Sequence, residues 1–319
     1  MNVQNVGGYQ TGIDYLPAAG KNIFERENVN FNVEEATAEK VNEGAIKTAE
    51  QKTQDIKDAY AVMTSGVGAS KAASKNETIQ IWLNQLGFYS GKVDGNLYTT
   101  ASKKALKNFQ RVYGLAQTGQ ISNMVQDKLK AATSCYRAVA SKSDLGTITS
   151  MVSGYSDFKE SEIRDYFAKT WAFFRVGMGL TVRQASGVLG NIMAESGCIP
   201  DNAKDTDTNK KLHDKDYKYN VSDGRGYGLI QWTIQKRKQL LKDTSSQMGL
   251  SVSDINAQFA CFRKETERDD LTKSAWNKLK KTDLIDGATG IFLNEIEMPG
   301  NRNFSERYEK ATTIYSVMK

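Results

Sequence analysis

The residue best suited to chemistry in this chain is Glu195, near the end of the segment GLTVRQASGVLGNIMAESG. Thr181 and Gln184 match the T-x-x-Q pattern of a capping box, which predicts that a helix begins here. Gly197 can end this helix just after Glu195. The apolar stripe of the helix consists of Ala185, Val188, Leu189 and Ile192. Because Glu195 follows the stripe at helical spacing, we expect its carboxyl on the core-facing side.

An acidic side chain on an apolar helix face can serve as a proton donor. Apolar neighbours disfavour the charged form of a carboxyl, so we expect Glu195 to hold a proton that it can donate near neutral pH. Cleavage of a glycosidic bond needs such an acid, because the departing sugar oxygen leaves poorly until it is protonated. Periodicity alone also allows a glutamate that points to solvent from the last helical turn.

A glycine-rich segment further along the chain, SDGRGYGLIQWT, carries polar and aromatic groups suited to a carbohydrate. Gly228 and its neighbouring glycines would let the backbone approach a sugar closely. The Gln231 amide can donate and accept hydrogen bonds, and Tyr227 and Trp232 offer flat faces for pyranose rings. The alternative is that Trp232 and Leu229 are core residues. Nucleotide binding is not expected, because the segment lacks a Gly-Lys-Ser/Thr ending.

A second carboxylate is required if glycoside hydrolysis follows an inverting route, where it activates water roughly 6.5–9.5 Å from the acid. Asp223 is the first candidate because it borders the glycine-rich segment, and Asp214 and Asp216 stand behind it. The alternative for all three is a solvated loop acid or a turn former.

The few histidines and cysteines argue against other kinds of chemistry. His213 is the only histidine, which excludes histidine-rich zinc sites, and nothing near it favours a Ser-His-Asp triad. Cys135, Cys198 and Cys261 are widely spaced and form no CxxC pair, which favours buried apolar roles over a disulfide framework. A cysteine acting with His213 stays open. We expect no metal and no cofactor.

The sequence divides into four predicted segments, one of which contains the candidate catalytic residues. Residues 1–75 form a polar N-terminal tail with a helical stretch and a linker, and residues 76–134 form a compact three-helix module. Residues 135–158 are a polar connector, and residues 159–319 form the α-rich domain that contains Glu195. The predicted fold class is therefore mainly α.

Charge and hydropathy limit the kinds of partner that the protein is expected to bind. It has 319 residues, of which 39% are hydrophobic, and a mean hydropathy of −0.54. No apolar stretch is long enough to span a membrane, so we expect a soluble protein without a membrane partner. The net charge of +6 is spread along the sequence and favours polyanions weakly. No basic motif typical of nucleic-acid binding accompanies it.

The three-helix module carries a family pattern in the segment IQIWLNQLGFYSGKVDGNLYTTASKKALKNFQRVYGLAQTG. Its matching positions are Leu83, Leu86, Gly87, Phe88, Gly91, Asp94, Gly95, Ala105, Phe109, Gln110, Gly114, Leu115, Thr118 and Gly119. Over this length the segment resembles the peptidoglycan-binding type 1 module. The resemblance implies binding to peptidoglycan and leaves open which residues touch it, because each matching residue also suits a turn or a core position.

The segment from Thr170 to Tyr315 carries three further blocks: GVLGNIMAESG, then GYGLIQWT with Arg237 and Leu240, then FLNEIEMPG with Arg307 and Ala311. It resembles the phage tail lysozyme family, within the lysozyme-like superfamily that includes goose-type lysozymes and soluble lytic transglycosylases. The polar insertion at residues 201–219 departs from the family pattern.

The lysozyme resemblance implies roles for particular residues. Glu195 is implied to be the general acid, and Gly228 and Gln231 are implied to position the substrate. Asp223 is the candidate second catalytic carboxylate because of its place beside the glycine-rich segment and not because of the resemblance. Glu297 and Pro299 match a late Glu-x-Pro element and are expected to be structural. The residues predicted to bind substrate are Ser196, Tyr227, Gly228, Gln231 and Trp232.

Both resemblances together imply a glycosidase of phage or phage-like origin acting on bacterial cell walls. Its expected target is the β-1,4 bond between N-acetylmuramic acid and N-acetylglucosamine in peptidoglycan. Two alternatives stay open. One is a lytic transglycosylase, in which the muramic acid's own 6-hydroxyl attacks and leaves a 1,6-anhydro product. The other is a non-catalytic wall-binding virion protein.

The first ten residues, MNVQNVGGYQ, lack the basic start and apolar run of a secretory signal. We therefore expect the protein to be made in the host cytoplasm and to reach the wall in one of two ways. Holin-assisted release would make it an endolysin. Delivery as a virion component would let its N-terminal region contact phage tail or other virion proteins.

Overall fold

The computed structural model of this chain describes residues 73–152, 159–204, 211–212, 217–300 and 302–319. Almost all of the predicted N-terminal segment, including its expected contact with virion proteins, lies outside the described residues. His213, Asp214 and Asp216 also lie outside them.

The described part of the chain is mainly α, which confirms the predicted fold class. The upstream module consists of α1 (Lys75–Gln85), α2 (Thr100–Val112) and α3 (Asn123–Ala140). A 3-10 helix (Ser143–Leu145) and α4 (Gly146–Thr149) lie in the predicted connector. The C-terminal domain contains α5 (Glu160–Ala172), α6 (Val182–Glu195), α7 (Gln235–Met248), α8 (Ile255–Arg268), α9 (Asp270–Leu279), α10 (Ile285–Ile291) and α11 (Phe304–Met318). Short π-helical segments, Phe173–Gly177 and Phe292–Glu297, continue α5 and α10. No helix in the described ranges has the length and apolar character needed to cross a membrane.

The ends of the module's first helix follow from local sequence signals. Ser74 and Glu77 form a capping box at the start of α1. Gly87 has a φ of +80° and ends the helix, as the sequence predicts. At the other end of the module, α3 continues to Ala140, so the predicted boundary at residue 134 falls inside a helix.

Two buried glutamines hold the turns of the module. The Gln80 side-chain oxygen accepts hydrogen bonds from the backbone N–H groups of Asp94 (2.9 Å) and Gly95 (2.7 Å). The Gln110 oxygen accepts one from the N–H of Gly119 (2.8 Å). Buried backbone donors left without a partner would destabilise the fold. Several positions of the module pattern are therefore explained by the folding of its turns.

The module docks onto α8 of the C-terminal domain through the ends of its helices. The Asn256 side-chain amide donates to the carbonyl of Leu86, just after α1, at 3.1 Å. The Arg263 guanidinium donates to the carbonyl of Val112 at the end of α2 (2.7 Å) and to that of Gly177 (2.6 Å). Helix-end carbonyls have no partner within their own helix, so α8 satisfies groups of the module that would otherwise need water.

The helix that carries Glu195 packs closely against α11 and α10. A Cβ atom at Gly187 would lie 2.8 Å from the backbone nitrogen of Thr289 in α10. At Gly190 it would lie 2.5 Å from the carbonyl oxygen of Arg307 in α11. Both distances are too short for a side chain, so α6 needs glycine at these two positions to reach its place.

A small β arrangement links the glycine-rich loop to the chain that follows α6. The strands β1 (Ala203–Lys204) and β2 (Lys211–Leu212) pair antiparallel. Ala203 also forms an antiparallel bridge with Tyr227. The N–H of Gly228 donates to the carbonyl of Asn202 at 2.7 Å. These bonds hold the loop beside the end of α6.

Substituting Gly190 tests this close packing. We expect Gly190→Ala to lower the free energy of unfolding by about 1–3 kcal/mol, because a methyl group there must push α6 away from the backbone of α11. Urea denaturation followed by circular dichroism measures the change.

The matched control is Gly290→Ala in α10, where the nearest atom to an added methyl is on the Phe304 ring at 3.5 Å, an ordinary contact. It should leave stability unchanged or raise it by up to about 1 kcal/mol. Equal stabilities for the two variants would contradict this account of helix packing.

Candidate active site

Glu195 is the last residue of α6, and its side chain is 19% exposed. The predicted capping box of Thr181 and Gln184 is present at the other end of the helix. The predicted stripe is fully buried and consists of Ala185, Val188, Leu189 and Ile192. The Glu195 side chain is therefore mostly buried, as its spacing from the stripe predicts, and keeps a small exposed part.

Ser196 fastens the end of this helix to the glycine-rich loop. It is fully buried, and its hydroxyl contacts the carbonyls of Leu229 (2.7 Å) and Ile192 (3.1 Å). A buried hydroxyl within reach of two backbone carbonyls is held in place by the protein itself. The geometry gives Ser196 a role in positioning Glu195, and its predicted contact with substrate stays untested.

Arg307 is the charged partner of Glu195. Its guanidinium Nη2 contacts the Glu195 Oε1 oxygen directly, and its side chain is only 5% exposed. Arg307 lies in the first part of α11, the helix that contacts α6 at Gly190. The close approach of the two helices thus brings a buried cation to the predicted acid. This corrects the expectation that apolar neighbours alone surround the Glu195 carboxyl.

A second carboxyl lies on the other side of the same guanidinium. Glu297 ends the π-helical segment that continues α10, and its side chain is 2% exposed. Its Oε2 oxygen is 3.6 Å from Arg307 Nε, within ion-pair range and beyond hydrogen-bond range. Burial raises the pKa of Glu297 well above its usual value, the Glu195 charge adds to this rise, and Arg307 opposes it.

The glycine-rich loop brings Gln231 close to Gly228. Gly228 has a φ of +77°, and an added Cβ would collide with the amide of Gln258 at 2.6 Å. Gln231 has a φ of +51°, which is uncommon for a residue with a side chain. Its amide nitrogen donates to the carbonyls of Gly228 (2.9 Å) and Asn202 (3.3 Å). The half-buried Gln231 is therefore oriented by backbone groups.

The two aromatic residues of the loop are core residues, which corrects the expectation of open faces for sugars. Tyr227 is fully buried, and its ring centroid lies 4.7 Å from that of Tyr219 in an edge-on arrangement. Trp232 is also fully buried, and its indole N–H donates to both oxygens of Glu265 at 3.1 and 3.2 Å. Each ring gains more from packing than it would as an exposed platform.

Two family models match the chain. One, described as phage tail lysozyme, matches residues 166–318, and one for a peptidoglycan binding domain matches residues 74–129. The chain contains a phage tail lysozyme domain behind a peptidoglycan binding domain. Both resemblances read from the sequence are thereby confirmed. No curated protein and no solved structure matches the chain.

Within the lysozyme domain, Asp223 is held by three donors. Its carboxylate accepts hydrogen bonds from Lys238 Nζ (2.6 Å), the Tyr217 hydroxyl (2.7 Å) and the N–H of Arg225 (3.0 Å). Partial burial by itself would raise the pKa of Asp223, but these hydrogen bonds outweigh it and lower the pKa. Lys238 is fully buried, and this burial lowers its own pKa against the pull of Asp223. Asp223 thus neutralises a buried cation, and its predicted role as second catalytic carboxylate stays a prediction.

Cavity size does not mark the site of the lysozyme domain. Two cavities, of about 230 and 310 Å³, lie against α8, and Glu195 lines neither of them. The first is formed between the binding domain and the lysozyme domain, with Arg111 on one side and Arg263 on the other. The candidate site is therefore identified by the Glu195 and Glu297 carboxyls around Arg307 and not by a large cavity.

The sequence did not pair Arg307 with Glu195. A signal for it exists, because Arg307 precedes Ala311 by four residues and Ile314 by seven, which places it on the buried stripe of α11. A buried arginine needs an acidic partner. The identity of that partner could not be read, since Glu195 and Arg307 are 112 residues apart.

The cysteines fit the structural role predicted for them. Cys198 and Cys261 are fully buried, Cys135 is partly exposed, and none of the three is in a disulfide. Burial raises the pKa of Cys135 to about 11 and that of Cys198 to about 12. Such thiols carry little thiolate near neutral pH and make poor nucleophiles.

Replacement of Asp223 separates a structural role from a catalytic one. At pH 7 we expect Asp223→Asn to lower the free energy of unfolding by about 1–3 kcal/mol, because Lys238 loses its charge partner. Since the pKa of Asp223 is lower in the folded state, its stabilising effect is full above about pH 4 and disappears as the pH falls through the folded value. Urea unfolding at several pH values measures whether the free energy of unfolding of the variant no longer falls with pH in this acidic range.

The exposed Asp243 in α7 provides the control variant, Asp243→Asn, which should change stability little. If Asp223→Asn keeps full stability at every pH and loses only turnover, the carboxylate acts in catalysis and the structural role assigned above is wrong.

Proposed function

We propose that this protein cleaves the β-1,4 glycosidic bond between N-acetylmuramic acid and N-acetylglucosamine in peptidoglycan, with Glu195 as the general acid. The observation that carries the proposal is the partly exposed Glu195 carboxyl at the end of α6 of a phage tail lysozyme domain. Arg307 fixes its position, and the Arg307 charge is shared with a second buried carboxyl, Glu297. A carboxyl in this position can reach a bound polymer and is too well fixed to be an ordinary surface acid.

In the proposed reaction the Glu195 carboxyl gives its proton to the glycosidic oxygen. The bond between this oxygen and the sugar carbon then breaks, and its electron pair stays with the oxygen. The sugar carbon develops positive charge, which a nearby carboxylate can offset. Attack by water on that carbon completes hydrolysis, and the proton that the water loses passes to a carboxylate, either Glu195 or a second acid.

The peptidoglycan binding domain supports this function by its attachment to the lysozyme domain. Asn256 and Arg263 of α8 bind carbonyl groups at the ends of α1 and α2. A polymer held by the binding domain would therefore stay near the lysozyme domain through successive encounters, which raises its effective concentration there. Delivery to the wall, through a holin or within a virion, stays a prediction.

One observation favours a lytic transglycosylase as a second candidate. The Asp223 carboxylate is occupied by Lys238, Tyr217 and a backbone N–H, which leaves it poorly suited to activate water. Attack by the muramic acid's own 6-hydroxyl needs no water-activating carboxylate at that position. The acid step at Glu195 is the same in both reactions.

The variant Glu195→Gln tests the proposed acid. An amide cannot donate the required proton, so we expect lysis of purified peptidoglycan to fall by about 10²–10⁴-fold. Thermal unfolding and sedimentation with cell walls should show an intact fold and unchanged wall binding. The control is Glu309→Gln on the exposed side of α11, which should retain full lysis.

Retained lysis by a folded Glu195→Gln protein would refute the assignment of the acid. If the unaltered protein binds walls and releases no fragments at all, the alternative of a non-catalytic wall-binding protein is correct.

Mass spectrometry of digested peptidoglycan distinguishes the two reactions. We expect muramic acid at reducing ends if water attacks, and 1,6-anhydromuramic acid ends, lighter by one water, if the 6-hydroxyl attacks. Release of stem peptides from intact glycan strands would contradict both candidates.

A further inference from the structure

One guanidinium in the lysozyme domain serves two carboxyls. Arg307 contacts Glu195 through Nη2 and lies 3.6 Å from Glu297 through Nε. Neither carboxyl oxygen of Glu297 makes a hydrogen bond within the described residues, although both are buried. Glu297 is thus a buried acid, and the cation nearest to it, Arg307, already forms an ion pair with Glu195.

The other charged groups near Glu297 leave Arg307 as its main counterion. Arg237 comes close from α7, donating to the carbonyl of Ile296 at 3.1 Å. Its charge, however, is taken up by Glu265, which it contacts at 2.8 and 3.0 Å. A bidentate arginine-carboxylate pair is largely self-neutralised.

Charge balance sets how many protons the cluster of Glu195, Arg307 and Glu297 prefers. With both carboxyls ionised, the cluster has a net charge of −1, and with both protonated it has a net charge of +1. With one proton it is neutral. Because Arg307 and Glu297 are almost fully buried, the neutral form is favoured over either charged form.

We propose that Glu297 is a positioning residue for Glu195, because it competes for the Arg307 guanidinium and so lets the two carboxyls share one proton. In one form Glu297 carries the proton and Glu195 is ionised against Arg307. In the other, Glu195 carries the proton and Arg307 balances the Glu297 carboxylate. The second form is the one that can donate to a glycosidic oxygen, so this inference rests on the proposed function.

The test is a carboxyl titration that needs no turnover. Protein labelled with ¹³C at the glutamate side-chain carboxyl is titrated by NMR, and the Glu195 signal is assigned by its loss in Glu195→Gln. In Glu297→Gln the guanidinium is left to Glu195 alone, which favours its ionised form. We therefore expect the Glu195 midpoint to fall by about one pH unit.

Lysis should follow the same direction, because a general acid works only while it is protonated. The alkaline limb of the pH profile of lysis should move to lower pH in Glu297→Gln, again by about one unit. The matched control is Glu295→Gln, the same change two residues earlier in a partly exposed ion pair with Lys278. It should leave both the midpoint and the profile unchanged.

Glu297→Gln mimics the protonated carboxyl and should keep its melting temperature. An unchanged Glu195 midpoint in the folded variant would overturn the proposal. If the variant does not fold, the unaltered protein decides: linked titration of two glutamate signals supports the shared proton, and a Glu297 signal that titrates alone at an ordinary pH refutes it. Loss of lysis in Glu195→Gln bears only on the proposed function, since the titration is read without substrate.

Discussion

The close contact of α6 with α10 and α11 is the constraint on which the candidate site depends. Gly187 and Gly190 leave no room for side chains, so the backbones of the three helices meet directly. This contact brings the end of α6 to the start of α11, where Arg307 meets Glu195. It also sets α6 beside α10, whose π-helical continuation ends at Glu297. The two glycines have no side chain to act in a reaction, yet the helix contact they allow determines which charges face each other.

Buried cations paired with acids recur through the lysozyme domain. Lys238 lies against Asp223, Arg237 against Glu265, and Arg307 against two carboxyls. A buried pair adds little net stability over apolar packing, but loss of one partner leaves an uncompensated charge and is costly. In the first two pairs one acid matches one cation. Of these three arrangements, the cluster of Glu195, Arg307 and Glu297 is the one with more acids than cations, and it includes the proposed proton donor.

The same reasoning separates residues that build the site from those that can act in it. Ser196, Tyr227 and Trp232 are fully buried and engaged by other protein groups. Ser196 fastens the glycine-rich loop to the end of α6, and Trp232 fastens the loop to Glu265 of α8. Gln231 is half-buried, and its backbone conformation is uncommon for a residue with a side chain. Such strain persists only where the surrounding structure enforces it, which keeps Gln231 as a candidate for substrate positioning.

Local sequence patterns account for several features of the fold and of the site. The capping box of Thr181 and Gln184, the apolar stripe of α6 and the helix-ending Gly87 follow from propensity and spacing within a few residues. Family blocks extended this to the mainly α fold and to the two domains. The capping box, the apolar stripe and the helix-ending glycine can be predicted from sequence because each depends on residues within a single helix or turn.

The pairing of charged groups and the burial of the aromatic rings of the glycine-rich loop depend on the tertiary structure. Arg307 lies 112 residues from Glu195, and nothing in the local pattern of either helix names the other as its partner. Likewise, the types of Tyr227 and Trp232 suit a sugar or a core equally, and their full burial in the fold identifies them as core residues. Burial and pairing are properties of how helices pack, and that packing depends on contacts between residues far apart in the chain.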